Sequence, residues 1–210
     1  MEQRLIDHIV YCVPDLESGI AEIEHILGVR ARIGGKHLTK GTKNALINLG
    51  NACYFEILAA DHENFDFDGQ RWMGIDTITT PGIMRWSLKS SDLEGDCNVI
   101  KSFSFDPGNI ETGRRMTTSG KELSWRMTIP SASPEVDVLP FFTDWSTSEM
   151  HPTDTLEELC VLNNVVLYHP GNQTIEKVVR ALDSKVEVKN ASEPRIEITI
   201  QSPKGLIVIS

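Results

Sequence analysis

Apolar and β-branched residues come in short runs along this chain, separated by single stretches of helical spacing. Leu5 to Val13 is the first run and predicts a strand, which Pro14-Asp15 ends. Ile20, Ile23, Ile26 and Leu27 then fall at helical spacing. Asp15 stands where its carboxylate can cap the free amides of the first turn, and Gly28 where the helix must stop. Three strand candidates follow, Ala31 to Ile33, Ala45 to Leu49 and Cys53 to Ala59, divided by Gly-rich or Asn-rich turns. The unit reads β-α-β-β-β and is complete by about residue 60.

The same order returns twice. Ile83 to Lys89 predicts a strand, Asp92-Leu93-Glu94 opens a helix, and Arg114 to Thr118, Glu122 to Ile129 and Leu139 to Trp145 predict strands, with a Ser119-Gly120 turn closing a hairpin. In the third pass Asn164 to His169 is a strand and Thr174 to Leu182 a helix. Val186 to Lys189, Arg195 to Gln201 and Leu206 to Ile209 are strands, the last pair joined by Pro203-Lys204-Gly205. Asp15-Leu16-Glu17 repeats as Asp92-Leu93-Glu94 at an offset of 77, which sets His8 against Arg85. Ile9 to Pro14 is echoed by Val165 to Pro170 at an offset of 156, which sets His8 against Asn164. The order of elements recurs more clearly than the residues do. The organisation expected is α+β: repeated βαβββ units at 1–60, 83–145 and 161–210, with polar linkers at 61–82 and 146–160.

Composition matters here for what it excludes. The chain's 210 residues, 40% apolar and 24% charged, suit one large globular domain or two small ones. Thirty acids against 20 bases give a formal charge of −10, which argues against binding nucleic acid or an anionic membrane surface. No apolar run approaches the ~20 residues that span a bilayer. The first five residues carry two charges and lead into a strand pattern, so no signal peptide is expected. Cys12, Cys53, Cys97 and Cys160 lie far apart with no CxxC pair, which points to reduced thiols and a cytoplasmic location.

The first sixty residues carry a more specific pattern. Asp7-His8-Ile9-Val10-Tyr11 and Pro14-Asp15-Leu16 are followed by Leu27-Gly28-Val29, Gly34-Gly35-Lys36-His37, Gly41-Thr42-Lys43-Asn44-Ala45 and Tyr54-Phe55-Glu56-Ile57. In that order and spacing they resemble the glyoxalase-like family of the vicinal oxygen chelate superfamily, which includes glyoxalases, bleomycin-resistance proteins and dioxygenases. The likeness runs on through Trp86, Gly113-Arg114-Arg115, Trp125, Leu139-Pro140-Phe141-Phe142, Asp144-Trp145, His151-Pro152 and Tyr168-His169-Pro170. It implies two βαβββ units whose sheets curl into a half-barrel around a cavity. A third unit is unusual on a scaffold built from pairs: it either caps the sheet or completes a second cavity in a homodimer. One such scaffold hosts isomerases, dioxygenases, resistance proteins and plain binders, so the fold alone does not assign the activity.

His8 and Glu56 are the leading site candidates, because the resemblance puts metal ligands on the first and last strands of a unit. An imidazole and a carboxylate suit Zn²⁺, Fe²⁺, Ni²⁺ or Mn²⁺, and such an ion polarises vicinal substrate oxygens. The alternative is a metal-free site where the two side chains simply bond each other. The second unit offers Arg85 or Trp86 opposite His8, and only Asp144 within Phe141 to Asp144 opposite Glu56. Arg85 is therefore a candidate to replace the metal, pairing with Glu56 and stabilising an anionic substrate. Otherwise it is a solvated residue of the outer face.

The loop expected from Gly34 to Asn44 supplies His37 as a general base and Thr42 and Asn44 as substrate contacts, or else these residues only build a hairpin. Arg115, Trp125, Trp145 and Trp86 suit the wall of a pocket for a small organic acid, with about two of the four tryptophans reaching it and the others in the core. His151 either overhangs the cavity mouth or caps a turn. The activity these residues imply is a lyase, isomerase or dioxygenase acting on a small oxygenated molecule, with a divalent metal or none. The alternative is a protein that sequesters a small ligand without catalysis.

Overall fold

The structure, a computed structural model, describes residues 3–116 and 122–210. The proposed Ser119-Gly120 turn lies outside them. The first unit runs β1 (Ile6–Cys12), α1 (Leu16–Leu27), β2 (Arg32–His37), β3 (Thr42–Asn48) and β4 (Tyr54–Ala60). The second runs β5 (Gly82–Lys89), α2 (Leu93–Ser102), β6 (Ile110–Met116), β7 (Glu122–Thr128) and β8 (Phe141–Asp144). Both helices start where the sequence places a cap: Asp15 accepts from the Ser18 amide, and Asp92 from the Gly95 amide, each at 2.9 Å. Gly28 ends α1 in the left-handed conformation, with φ at 74°.

The eight strands form one sheet in the order β2-β3-β4-β1-β5-β8-β7-β6. At its centre β1 pairs antiparallel with β5, and each of them pairs parallel with the last strand of its own unit. The sheet curls until its two edges meet. The Arg115 guanidinium on β6 donates to the Gly34 carbonyl on β2, and Lys40 pairs with Glu111 at 2.6 Å across the same seam. The half-barrel is thus nearly closed.

Of the two readings of the Gly34–Asn44 stretch, a loop or a hairpin, the hairpin is found: β2 extends to His37, β3 begins at Thr42, and only residues 38–41 turn. Gly34 and Gly35 obscure the strand because glycine has little strand propensity, and a bulge falls between Ile33 and Gly35.

The third unit contains β9 (Val161–Tyr168), α3 (Asn172–Ala181), β10 (Glu187–Lys189), β11 (Arg195–Ser202) and β12 (Gly205–Ile209). It repeats the order of elements but not their pairing, since its own sheet runs β10-β9-β11-β12 with its first strand inside. Val165, Leu167, Ile196, Ile198 and Ile200 share one buried cluster with Ile9, Trp86 and Leu88. The third sheet therefore packs on the outer face of the large one, beside α1 and α2. A second cluster, with Val10, Leu58, Met73, Trp125 and Phe141, fills the inside of the barrel.

Candidate functional site

Strand alternation decides which side chains enter the barrel. Asn44 and Leu46 of β3, Tyr54 and Glu56 of β4, Trp125 and Met127 of β7, and Phe141 and Thr143 of β8 are all i, i+2 pairs, and all line one internal hollow. His8 and His37 complete it from β1 and β2, and Arg115 from β6. The hollow measures about 40 Å³, room for only a few water molecules. Beyond Arg115 and Trp125 lie neighbouring spaces of about 40 and 220 Å³, the second between Lys40 and Glu111.

A chain of ionisable groups crosses the hollow. Asp7 Oδ1 accepts from His8 Nδ1 at 2.6 Å. Adjacent strand residues normally point to opposite faces, but a bulge between Ile6 and His8 lets the Asp7 carboxylate come round to its neighbour's ring. The other nitrogen, Nε2, then faces Glu56 Oε2 at 3.8 Å, too far for a hydrogen bond. Asn44 donates to Glu56 Oε1 at 2.6 Å and fixes which oxygen is turned toward His8. The imidazole is held between the Tyr54 ring, stacked at 4.6 Å, and the edge of Phe141 at 5.1 Å. Gly34 is required beside this group, since a Cβ there would collide with Asn44 Oδ1.

Asp7 is fully buried, which by itself raises its pKa. Hydrogen bonds from His151 and His8, and the charges of those two rings, outweigh that and hold the carboxyl below its ordinary value. Trp145 Nε1 also donates to it, at 3.0 Å. His37 is different. Burial drives its pKa down to about 4, with Arg115 and His8 pushing the same way and Glu56 opposing, so the ring is neutral at neutral pH. Its Nδ1 meets Thr42 Oγ1 at 3.0 Å. Thr42 thus orients His37 rather than lining the hollow itself. Burial lowers the Arg115 pKa while Tyr54 and Glu56 raise it, and the guanidinium stays charged regardless. The hollow therefore has the Glu56 carboxyl group on one wall, with Asp7 buried behind His8, and a fixed cation on another.

Three residues expected here lie elsewhere. Arg85 does share a sheet row with Glu56, through Val10, but its guanidinium turns away to the carbonyls of Met84, Ser131, Ser133 and Glu135. It neither pairs with Glu56 nor sits in solvent, being 2% exposed. Trp86 points to the opposite face, into the core under the third unit, and its Nε1 donates to the Val138 carbonyl at 2.8 Å. Asp144 is the out-pointing neighbour of Thr143, and its Oδ1 accepts from the Ser146 amide at 2.8 Å.

Other residues were missed or undervalued. Asp7 was hidden by the alternation rule that its bulge breaks. Trp72 and Met73 enter from a 3₁₀ segment, Trp72–Thr77, in what reads as a polar linker. Three of the four tryptophans, Trp72, Trp125 and Trp145, line the hollow. Of the two roles considered for His151, capping is the one found, with Nδ1 meeting Thr153 Oγ1 at 2.8 Å at the start of a short helix, while Nε2 reaches Asp7 Oδ2 at 3.5 Å.

The donor set does not fit a resident divalent metal. His8 and Glu56 are two ligands, and the hydrogen bond from His8 to Asp7 is of the kind that supports a ligating imidazole. The second unit adds Phe141, Thr143 and Trp145, none of them an imidazole or carboxylate. Among the described residues no three His, Cys, Asp or Glu side chains converge as a metal would need. Arg115 adds a permanent positive charge to the same space.

No match is found among curated proteins. Among solved structures, a hypothetical protein from Staphylococcus aureus aligns over 98% of both chains at 16% identity, with a TM-score of 0.66. Methylmalonyl-CoA epimerase from Mycobacterium tuberculosis aligns over 66% of this chain and 85% of its own, at 18% identity and a TM-score of 0.38. A variant of the Streptomyces coelicolor methylmalonyl-CoA epimerase, in complex with 2-nitronate-propionyl-CoA, aligns over 69% and 99% at 14% identity, with a TM-score of 0.42. No helix of the described residues is long and apolar enough to cross a membrane. The model of the Glyoxalase-like domain matches residues 6–191, and with paired βαβββ units curled around a shared hollow, this chain belongs to that family.

Proposed function

We propose that the hollow catalyses proton transfer, as an isomerase or lyase, on a small oxygenated anion. One observation carries this reading: His8, backed by the buried Asp7, and Glu56 stand together in a hollow that Arg115 also lines. Asp7 fixes the His8 tautomer, so that Nε2 carries the free lone pair when the ring is neutral. Glu56, oriented by Asn44, is a second base on the same side. A substrate carbon seated against both gives up or receives its proton at His8 Nε2 or Glu56 Oε2. Charge that develops on the adjacent oxygen is met by the Arg115 guanidinium. Tyr54, Phe141, Trp125 and Trp145 supply an aromatic wall that keeps bulk water out. His37, neutral and bonded to Thr42, offers a hydrogen bond rather than a strong base.

The test is solvent-deuterium exchange at C2 of small 2-hydroxy carboxylates and at C3 of small 2-oxo carboxylates, followed by NMR. Wild-type protein is expected to catalyse exchange on at least one of them, and Glu56→Gln to slow it by about 100-fold or more, the usual worth of a general base. A ligand that binds in the hollow with no exchange and no turnover would instead favour a sequestering protein. The aromatic wall gives that second reading its support.

A further inference from the structure

A second cavity, about 550 Å³ in volume, lies between the second and third units. Its walls include Ile100 of α2, Phe105, Val136 and Leu139 of the segments flanking β6 and β8, and Ile175 of α3. It is far larger than the hollow at His8 and falls in the range of pockets that take small organic molecules. These side chains are apolar, but polar groups make up about half of the lining: Arg85, which is buried, and the more exposed carboxylates of Asp106, Glu111 and Asp137.

The Arg85 guanidinium donates to the carbonyls of Met84 at 2.7 Å, Ser133 at 2.9 Å and Ser131 at 3.3 Å, and to that of Glu135. Its Nε has no partner, and no carboxylate accepts from it among the described residues. Neutral carbonyls satisfy donors but leave the charge itself without a counter-ion, which is the expensive way to bury an arginine. Asp137 and Glu135 attract it only from a distance. Asp137 and Asp106 each commit an oxygen to a turn amide, those of Leu139 and Gly108, both at 2.9 Å. His169 stands at the same wall with Nδ1 accepting from the Gly171 amide at 2.9 Å, so the ring proton of its neutral form is on Nε2 and offers a further donor.

We propose that this cavity binds an amphiphilic organic anion. Its carboxylate lies toward Arg85 and completes that residue's charge balance, while its chain lies along Ile100, Phe105, Val136, Leu139 and Ile175. The third unit then has a role beyond covering the large sheet, because Ile175 and His169 close a cavity that the first two units leave open. This site is independent of the chemistry proposed for the hollow.

Calorimetric titration of the whole protein with octanoate, and with octylammonium as the charge-reversed control, tests it. Octanoate is expected to bind one per chain and about ten-fold or more tighter than octylammonium, the scale of a hydrogen bond to a charged partner. Val136→Trp, which fills the cavity from a half-buried segment position, and Arg85→Met should each weaken octanoate by a similar factor. Val136→Trp keeps the test decisive should Arg85→Met release the 131–135 segment and unfold. Equal or tighter octylammonium binding, octanoate binding untouched by Val136→Trp, or no saturable octanoate binding at millimolar concentration would each overturn the proposal.

Discussion

The two halves of the barrel are built alike and equipped differently. The first unit brings His8, His37, Asn44 and Glu56 to the hollow, with Asp7 behind His8, whereas the second brings Arg115, Trp125, Phe141, Thr143 and Trp145. Ionisable groups able to exchange protons thus stand on one side, a fixed cation and most of the aromatic wall on the other. A metal shared between the units would need ligands from both. Here the second unit has the guanidinium in their place, so the asymmetry concerns chemistry and leaves the architecture intact.

The largest expected effect separates the units directly. Glu56→Gln on the last strand of the first unit should slow exchange by about 100-fold or more, while Thr143→Val on the last strand of the second should stay within about a factor of ten. Comparable losses from both would mean that the halves share the chemistry. Next come two tryptophans of the second unit on opposite faces of its sheet. Trp86→Ala should cost about 3–5 kcal/mol in a thermal or denaturant melt, since it empties a sealed core position. Trp125→Ala should cost less, because the space it leaves joins the hollow and can fill with water. An equal cost would make the hollow a packed core.

His37 sharpens the comparison through pH. Its folded pKa of about 4 lies below the ordinary imidazole value, so between about pH 4 and 6.5 the unfolded chain binds a proton that the folded one refuses. Stability should therefore rise with pH across that window and be fully present above it, a swing of up to about 3 kcal/mol from this group. His37→Asn should flatten that slope, and an unchanged slope would place its origin elsewhere. The smallest effect concerns the seam between the units. Lys40→Ala breaks a partly exposed ion pair with Glu111 and should cost at most about 1 kcal/mol, yet speed ligand entry measured by stopped flow. An unchanged association rate would mean that ligands enter by another route.

Much of the scaffold was legible because its signals are local. The helix caps at Asp15 and Asp92, the stop at Gly28 and the alternating runs at β1, β4 and β5 all act within a few residues of themselves. The hairpin from Arg32 to Asn48 was harder to read, since glycines weaken its strand signal while the neighbouring strand supplies the pairing. In the first unit's share of the hollow, the family resemblance singled out His8 and Glu56, and the glycine-rich stretch singled out His37 and Asn44. Arg85 shows the limit: its strand phase is that of Glu56, but a long flexible side chain lets the guanidinium leave the row for carbonyls almost fifty residues away in sequence.

By itself the sequence determined which segments become strands and helices, that the β-α-β-β-β order recurs, and that an imidazole and a carboxylate share the first unit. These follow from periodicity and capping, which are properties of neighbouring residues. Only the tertiary structure decided that Asp7 turns toward His8, that Arg115 rather than Arg85 stands in the hollow, and that the third unit pairs its strands in another order. Each of those outcomes depends on a bulge, a long side chain or a choice of partner strand, and such choices are settled by contacts between segments far apart in the chain.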